Sequence, residues 1–269
     1  MKNEKKIIYF SLIFAVLLLN VCLAEDLVPF SSNGKWGYAD ESMNIVISPQ
    51  WDTASNFRCG KTAIVGILQE DGDFSYGLIN QNGEYIVPCD YHILDNESEV
   101  LFGGEDGYYL IWDKENKLCG YYDIKYNYYC SPKYRDVDIG ERTEKNIISV
   151  MDPVTRLRGY IYSDTEMAVS EFCYIETGPF IQDAAIAIAL DAQWIQFIDG
   201  TRKKISDEYS VNLQIVHGVF IVTNRDYKYG LMDLNCELVT KEWYDMIYIE
   251  NTDEIYGIIN KEHVKIVID

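Results

Sequence analysis

Cations and histidines are scarce in this chain. Its 269 residues hold 23 Lys and Arg against 43 Asp and Glu, a formal net charge of −20. Such a surface is repelled by phosphate backbones, and no basic stripe interrupts it, so nucleic acid is excluded as a partner. The preferred meaning of the charge is solvation of a β-rich surface whose edges must not aggregate, ahead of a specific cationic partner. Histidine occurs only at His92, His217 and His263. His92 follows an aromatic residue and His263 falls in a turn, so neither joins the kind of cluster that acid–base or metal chemistry requires. The seven cysteines show no CxxC spacing. Beyond the N-terminus no window sustains a helical apolar period. Residues 183–192 fit a short helix or a buried strand, and their place before a hairpin favours the strand.

Motifs that would carry chemistry are also missing. Cys59-Gly-Lys-Thr62 looks like the tail of a phosphate-binding loop, but Ser55 occupies the place of its first Gly. It also begins a strand, where such a loop must precede a helix. Asp71-Gly-Asp73 and the segment from Asp113 to Asn116 lack the distal Glu of a calcium loop and read as acidic hairpin turns. No catalytic residue, metal or cofactor is expected. Carboxylates are abundant enough to contain a glycosidase pair, but abundance does not locate one.

What the chain does have is a repeat of about 40 residues, the signature of units that bury their apolar faces against their neighbours. KWGYADESMNIVISPQWD at 35–52 is followed by YGLINQNGEYIVPCDYH at 76–92 and CGYYDIKYNYYCSPKYRD at 119–136. RGYIYSDTEMAVSEFCY at 158–174, a degenerate IQFIDGTRKKISDEY at 195–209 and YGLMDLNCELVTKEWYD at 229–245 follow, and YGIINKEHVKIVID closes the chain from Tyr256. The anchor glycines are Gly37 (preceded by Trp36), Gly77, Gly120, Gly159, Gly230 and Gly257, with Gln196 standing in for one. Three residues after the anchor come Asp40, Asn80, Asp123, Asp199, Asp233 and Asn260, and fourteen after it Trp51, Tyr91, Tyr134 and Tyr244. Pro49, Pro88 and Pro132 lie where the second strand of each early copy ends.

The Trp-Gly-Tyr-x-Asp pattern followed by Ile-Val-x-Pro-x-aromatic-Asp resembles the WG-repeat family, also called KWG repeats and found mostly in bacteria. The likeness covers nearly everything after Glu25. Glu171 and Lys241 replace the expected Pro in the fourth and sixth copies, and the fifth lacks the Gly. A family defined by its repeat implies a scaffold and carries over no catalytic residues.

One unit reads as three or four antiparallel strands. Gly77 to Asn80 and Glu84 to Val87 flank Gln81-Asn82-Gly83, a strong hairpin signal. An Asx residue at a strand end hydrogen-bonds its own backbone two residues on. The anchor Gly is expected to let an aromatic side chain from a neighbouring strand lie against the backbone. Pro belongs where the second strand leaves the ladder and a missing N–H costs least. The fold expected is all-β, a propeller-like ring of six or seven small blades, with an open β-solenoid as the alternative. Partial copies at both ends suit a last blade shared between the termini.

Lys2, Lys5 and Lys6 precede an apolar run at 7–19, and Cys22-Leu-Ala24 offers a cleavage site before Glu25. Residues 1–24 therefore read as a secretory signal peptide, leaving 25–269 as the exported repeat domain. The rivals are an uncleaved anchor and a lipidated Cys22, the routes by which the chain would touch a membrane. Removing three Lys and one Glu with this segment takes the formal charge from −20 to −22. Of the remaining cysteines, Cys119 and Cys130 flank one hairpin and are a candidate disulfide, since export makes one possible. The 22 tyrosines fit strand propensity and packing between blades, with an exposed recognition face as the sharper alternative. Adjacent tyrosines in the run from Tyr121 to Tyr129 should point to opposite faces, leaving some exposed. The function expected is an exported non-enzymatic scaffold that binds a protein or a glycan at the envelope or exterior. A propeller-type hydrolase acting on carbohydrate is the alternative.

Overall fold

The computed structural model describes residues 27–58, 61–94, 107–139, 146–250 and 254–268. The leader at 1–24, with Cys22, lies outside them, as does the Cys59-Gly60 half of the loop-like tetrapeptide. Among the described residues no helix forms, so none is long and apolar enough to cross a membrane. The chain divides into two compact units, 1–92 and 93–269.

The first unit carries β1 (Val28–Ser32), β2 (Lys35–Ala39), β3 (Ile45–Trp51), β4 (Thr53–Ala54), β5 (Thr62–Leu68), β6 (Phe74–Asn80) and most of β7 (Tyr85–Leu94). The second begins with β8 (Tyr108–Asp113), β9 (Leu118–Asp123), β10 (Tyr128–Tyr134), β11 (Asp136–Asp138), β12 (Ile147–Met151), β13 (Arg158–Tyr162) and β14 (Tyr174–Thr177). It continues with β15 (Ala184–Ala189), β16 (Gln193–Phe197), β17 (Arg202–Lys204), β18 (Ser210–Val216), β19 (Val219–Thr223) and β20 (Tyr229–Asp233). The last three strands are β21 (Met246–Ile249), β22 (Ile255–Ile259) and β23 (Glu262–Ile266). All pairings are antiparallel; the stretch expected to be helix or strand is β15.

Each copy is an antiparallel meander, as in β1-β2-β3, β8-β9-β10 and β15-β16-β17. A short strand then leaves the meander and pairs with the first strand of the next copy: β4 with β5, β11 with β12, β14 with β15, β18 with β19 and β21 with β22. The fold is all-β and propeller-like in its blades. Within each unit, consecutive copies bury small separate cores between them. Tyr38, Ile47 and Trp51 meet Ala63, Val65 and Ile79, while Tyr121 and Cys130 meet Ile148, Val150 and Ile161. Further clusters join the fourth copy to the fifth, the fifth to the sixth and the sixth to the last. Burying one such aliphatic or aromatic side chain contributes about 1.5–3 kcal/mol, so each of these junctions is held by a handful of residues.

The last copy is drawn differently from the sequence expectation. β22 pairs with the linking strand β21 on one side and β23 on the other. That is the position of β5, which pairs with β4 and β6. Asp52 N–H donates to Gly66 O, and Asp245 N–H donates likewise to Ile258 O. Gly257 is therefore not an anchor glycine, and Asn260 does not close an anchor strand. The aromatic-Gly pair of a first strand imitated the motif.

Candidate functional site

The repeat residues converge on the turn, the anchor glycine and the junction to the next copy. At the turn, Asp40 Oδ1 accepts the Asn44 N–H, and Asn80 Oδ1 accepts those of Asn82 and Glu84. Asp123 Oδ1 takes Lys125 and Tyr126, Asp199 Oδ1 takes Thr201, and Asp233 Oδ1 takes Asn235 and Glu237. Hydrogen bonds from the Asn44 side chain and backbone hold the Asp40 carboxyl below the usual range, and Thr201 does the same for Asp199. The same device recurs at Asp113, Asp152 and Asn224, which close the turns between the first and second strands. Asp71-Gly-Asp73 and the segment from Asp113 to Asn116 are the acidic hairpin turns expected: Asp73 N–H donates to Asp71 Oδ1, and Asn116 donates to both Asp113 oxygens.

The anchor glycines of the first three copies answer a different need from the one expected. Trp36 pairs with Trp51 and Tyr38 with Ile47, so Ser48-Pro49-Gln50 stands opposite Gly37 alone. Pro88-Cys89-Asp90 bulges in the same way against Gly77, and Ser131-Pro132-Lys133 against Gly120. A Cβ on Gly77 would lie 2.6 Å from Val87 O and 2.9 Å from Cys89 N, and one on Gly37 would lie 2.6 Å from Pro49 N. One on Gly120 would lie 2.7 Å from Pro132 N. The glycine makes room for the backbone of its own hairpin and not for a neighbour's ring. Pro sits inside the bulge, where no ladder hydrogen bond is lost. Trp51, Tyr91 and Tyr134 restore the ladder opposite Trp36, Tyr76 and Cys119, the residues just before each glycine, and Tyr244 bridges to Tyr229 likewise.

Copies without Pro follow the original expectation. Over Gly159 lies the Phe172 ring, 3.1 Å from where a Cβ would be, with Glu171 O at 3.2 Å, and over Gly230 lies Trp243 at 3.0 Å, with Thr240 Oγ1 at 3.1 Å. The Tyr244 ring covers Gly257. In the fifth copy β16 and β17 pair without any slip in register, so nothing crowds position 196 and Gln fits. Gln196 is buried and accepts the Tyr174 hydroxyl at 2.6 Å.

The residue after the anchor was not foreseen. Tyr38, Tyr121 and Tyr160 are buried, and each donates its hydroxyl to a backbone carbonyl of the next junction or copy. The acceptors are Ser55 O at 2.8 Å, Ser163 O at 3.0 Å and Gly178 O at 2.7 Å. Burial raises the pKa of all three phenols. Between the third and fourth copies the fastening is denser. Ser163 Oγ accepts from Tyr108 and donates to the buried Asp123 at 2.8 Å. Glu166 accepts the Tyr128 hydroxyl at 2.8 Å and the Tyr134 hydroxyl at 3.1 Å, and pairs with Lys133. Desolvation, then Glu166 itself, pushes Tyr128 up to about 12. A Lys–Asp pair recurs at the return end, Lys35 with Asp52 and Lys228 with Asp245. The second oxygen of each Asp accepts an N–H from the following copy, Leu68 or Asn260.

Cys119 and Cys130 are free thiols, as are Cys89, Cys173 and Cys236. Cys130 pairs across from Tyr121 and Cys119 across from Tyr134, with the bulge between them, so the proposed disulfide has no register to form in. Burial pushes the Cys119 thiol up to about 11 and Cys130 to about 12. The run from Tyr121 to Tyr129 does leave a tyrosine exposed, as expected, though not one of the adjacent pair Tyr121-Tyr122. Tyr121 and Tyr122 are both buried, as are Tyr108 and Tyr109, because these strands are covered on both faces; of the run, Tyr126 is exposed. His263 Nδ1 lies 3.0 Å from the Tyr248 hydroxyl.

The family model described as "WG containing repeat" matches residues 36–66 and 76–99, which hold the glycine, bulge and returning aromatic of the first two copies. These two stretches are WG repeats. No curated protein matches the chain. Among solved structures, one of the eukaryotic initiation factor aligns over 90% of this chain and 74% of its own, at 9% identity and a TM-score of 0.42. BamB from Moraxella catarrhalis aligns over 86% and 75%, at 12% identity and 0.34. The Cps50 (Swd1) beta-propeller domain from Myceliophteria thermophila aligns over 87% and 66%, at 7% identity and 0.32. Likenesses this distant say nothing of ligand or activity. Of the copies outside the two matched stretches, the fourth and sixth diverge at the residues described above, with Phe172 and Trp243 taking the space that Pro-containing bulges fill in the first three.

Proposed function

We propose that the chain is an exported, non-enzymatic repeat scaffold that presents its blade surfaces to a protein or glycan partner at the cell envelope or exterior. The observation carrying this reading is where the repeat's polar residues are spent. Asp40, Asn80, Asp123, Asp199 and Asp233 close turns, while Tyr38, Tyr121, Tyr160, Asp52 and Asp245 fasten one copy to the next. These residues are distributed one set per copy along turns and junctions, so the repeat itself supplies no convergent set of nucleophile, base and oxyanion donor. A cavity of about 70 Å³ beside Ser149, Tyr160 and Phe180 is far below the roughly 300–1,000 Å³ of small-molecule sites. Export rests on the basic-apolar-small order of 1–24.

The test has two arms. Intact mass of protein recovered from expressing cells should correspond to a start at Glu25; a diacylglyceryl-modified Cys22 would replace the soluble form with an anchored one, and an intact leader would contradict cleavage. A glycan and peptide array run beside a panel of chromogenic glycosides should give binding without turnover. Hydrolysis abolished by one carboxylate substitution would overturn the non-enzymatic reading.

A further inference from the structure

Four of the six exposed large apolar residues among the described residues of the first unit lie on two hairpins, β2-β3 and β6-β7; the other two, Val28 and Leu68, lie on β1 and β5. Met43 is 66% exposed, Ile45 61%, Val46 51% and Tyr85 48%. They belong together because the second hairpin lies against the first. A Cβ on Gly83 would sit 3.0 Å from the Ile47 side chain, and Trp51 Nε1 donates to the Tyr85 hydroxyl at 2.7 Å. Val46 is the extra residue between the pairs Tyr38↔Ile47 and Ala39↔Ile45, which turns it and Ile45 both to solvent. β3 is moreover the terminal strand of its sheet. The terminal strand β17 is made of Arg202, Lys203 and Lys204, all exposed, the usual way to blunt an edge. At β3 the bulge with Pro49 blunts the C-terminal half of the edge, while the N-terminal half carries the exposed apolar Ile45 and Val46, and contiguous exposed apolar surface marks an interaction site.

The surrounding charge has one sign. From Trp36 to Phe57 the sequence contains no Lys or Arg, and none occurs again from Thr62 to Asp113. The two hairpins carry Asp40, Glu41, Glu84 and Asp90 instead. Hydrogen bonds from Asn44 keep the Asp40 carboxyl ionised. A second copy of a chain with net charge −20 would be repelled here, whereas a cationic partner would be drawn in.

We propose that Met43, Ile45, Val46 and Tyr85, rimmed by Asp40, Glu41 and Glu84, form a docking surface for an extended peptide segment of a partner protein in which Lys or Arg alternates with apolar residues. The apolar side chains of the segment cover Ile45 and Val46, and its cations face the rim. This rests on the scaffold reading above and chooses the protein partner over the glycan.

The probe is a labelled ten-residue peptide alternating Lys and Val, with an alternating Glu and Val peptide as its counterpart, titrated by fluorescence anisotropy into the protein lacking residues 1–24. The Lys peptide should bind at least tenfold more tightly than the Glu peptide and weaken as salt screens the rim. Ile45→Ser with Val46→Ser should lose at least tenfold, as should Val46→Lys, while Val154→Ser in the second unit leaves binding unchanged. Circular dichroism and urea midpoints matching wild type will show that these surface variants fold. Equal binding of both peptides, or wild-type binding by the Ser pair, overturns the proposal. Absence of peptide binding overturns it too. In that case self-association lost on Ile45→Ser assigns the surface to a second copy, and glycan binding keeps the scaffold while discarding this partner. Glycoside turnover sinks the scaffold reading itself.

Discussion

The third and fourth copies are neighbours in one compact unit, and they solve the same crowding problem in opposite ways. In the third, Ser131-Pro132-Lys133 bulges onto Gly120 and the contact is backbone on backbone. In the fourth, Glu171 replaces Pro, the ladder shrinks to the Ile161↔Ala168 bridge and the Arg158↔Tyr174 pair, and the Phe172 ring lies over Gly159. The first and second copies follow the third; the sixth, with Trp243 over Gly230, follows the fourth. One consensus residue thus serves two physical purposes. A backbone neighbour cannot rotate away, whereas a ring has rotamers and a side chain that can be trimmed. Both stretches that match the family have backbone as the neighbour, an arrangement that constrains Gly, Pro and the returning aromatic at once.

The largest effect should follow from putting a Cβ into the backbone contacts. Gly37→Ala, Gly77→Ala and Gly120→Ala are each expected to cost about 3 kcal/mol, the upper part of the range for overpacking, measured as lowered urea midpoints. Next come the bolts between copies. Tyr121→Phe leaves Ser163 O without its buried donor and should cost about 1–3 kcal/mol. If Tyr121→Phe matches wild type, the hydroxyl does not fasten the fourth copy to the third. Gly159→Ala should cost less, about 1 kcal/mol, and Phe172→Leu in the same chain should recover most of it as the ring withdraws. Gly120→Ala has no side chain whose trimming could rescue it. The smallest change is a gain. Met43 holds φ 64°, a left-handed position that Gly83 fills in the next copy, so Met43→Gly should raise stability by about 0.5 kcal/mol after the added flexibility of Gly is subtracted.

The tyrosine bolts add a pH dependence. Burial raises the Tyr38, Tyr121, Tyr134 and Tyr160 phenols above the ordinary value of 10.0. A raised folded value means this stability is fully present below pH 10 and is lost as pH climbs toward the folded values. Unfolding monitored by circular dichroism should set in together with phenolate absorbance. Phenols that ionise near pH 10 with no loss of structure would contradict their burial.

Much of the blade was legible in the sequence. The Asx turns at Asp40, Asn80, Asp123, Asp199 and Asp233 were readable because an Asx turn is local, its donors lying within four residues. The purpose of Gly37, Gly77 and Gly120 was misread because a bulge is a property of register. The sequence shows an extra residue only once both strands are paired. Gly257 misled for the same reason: Tyr256-Gly257 has the composition of an anchor and the pairing partners of β5. The disulfide failed when the bulge separated Cys119 from Cys130. The bolts at Tyr38, Tyr121 and Tyr160 followed the anchor in three aligned copies, but Leu78 and Leu231 hold that position in two others and hid the pattern. The Met43–Val46 surface escaped notice because exposure of adjacent residues depends on a single bulged Val46.

The most direct test of two purposes for one glycine is the pair Gly120→Ala and Gly159→Ala, compared by urea midpoint in the same unit. The expected result is a markedly lower midpoint for Gly120→Ala and a modest drop for Gly159→Ala that Phe172→Leu reverses. Equal midpoints, or a drop at Gly159→Ala that trimming Phe172 leaves untouched, would contradict the account.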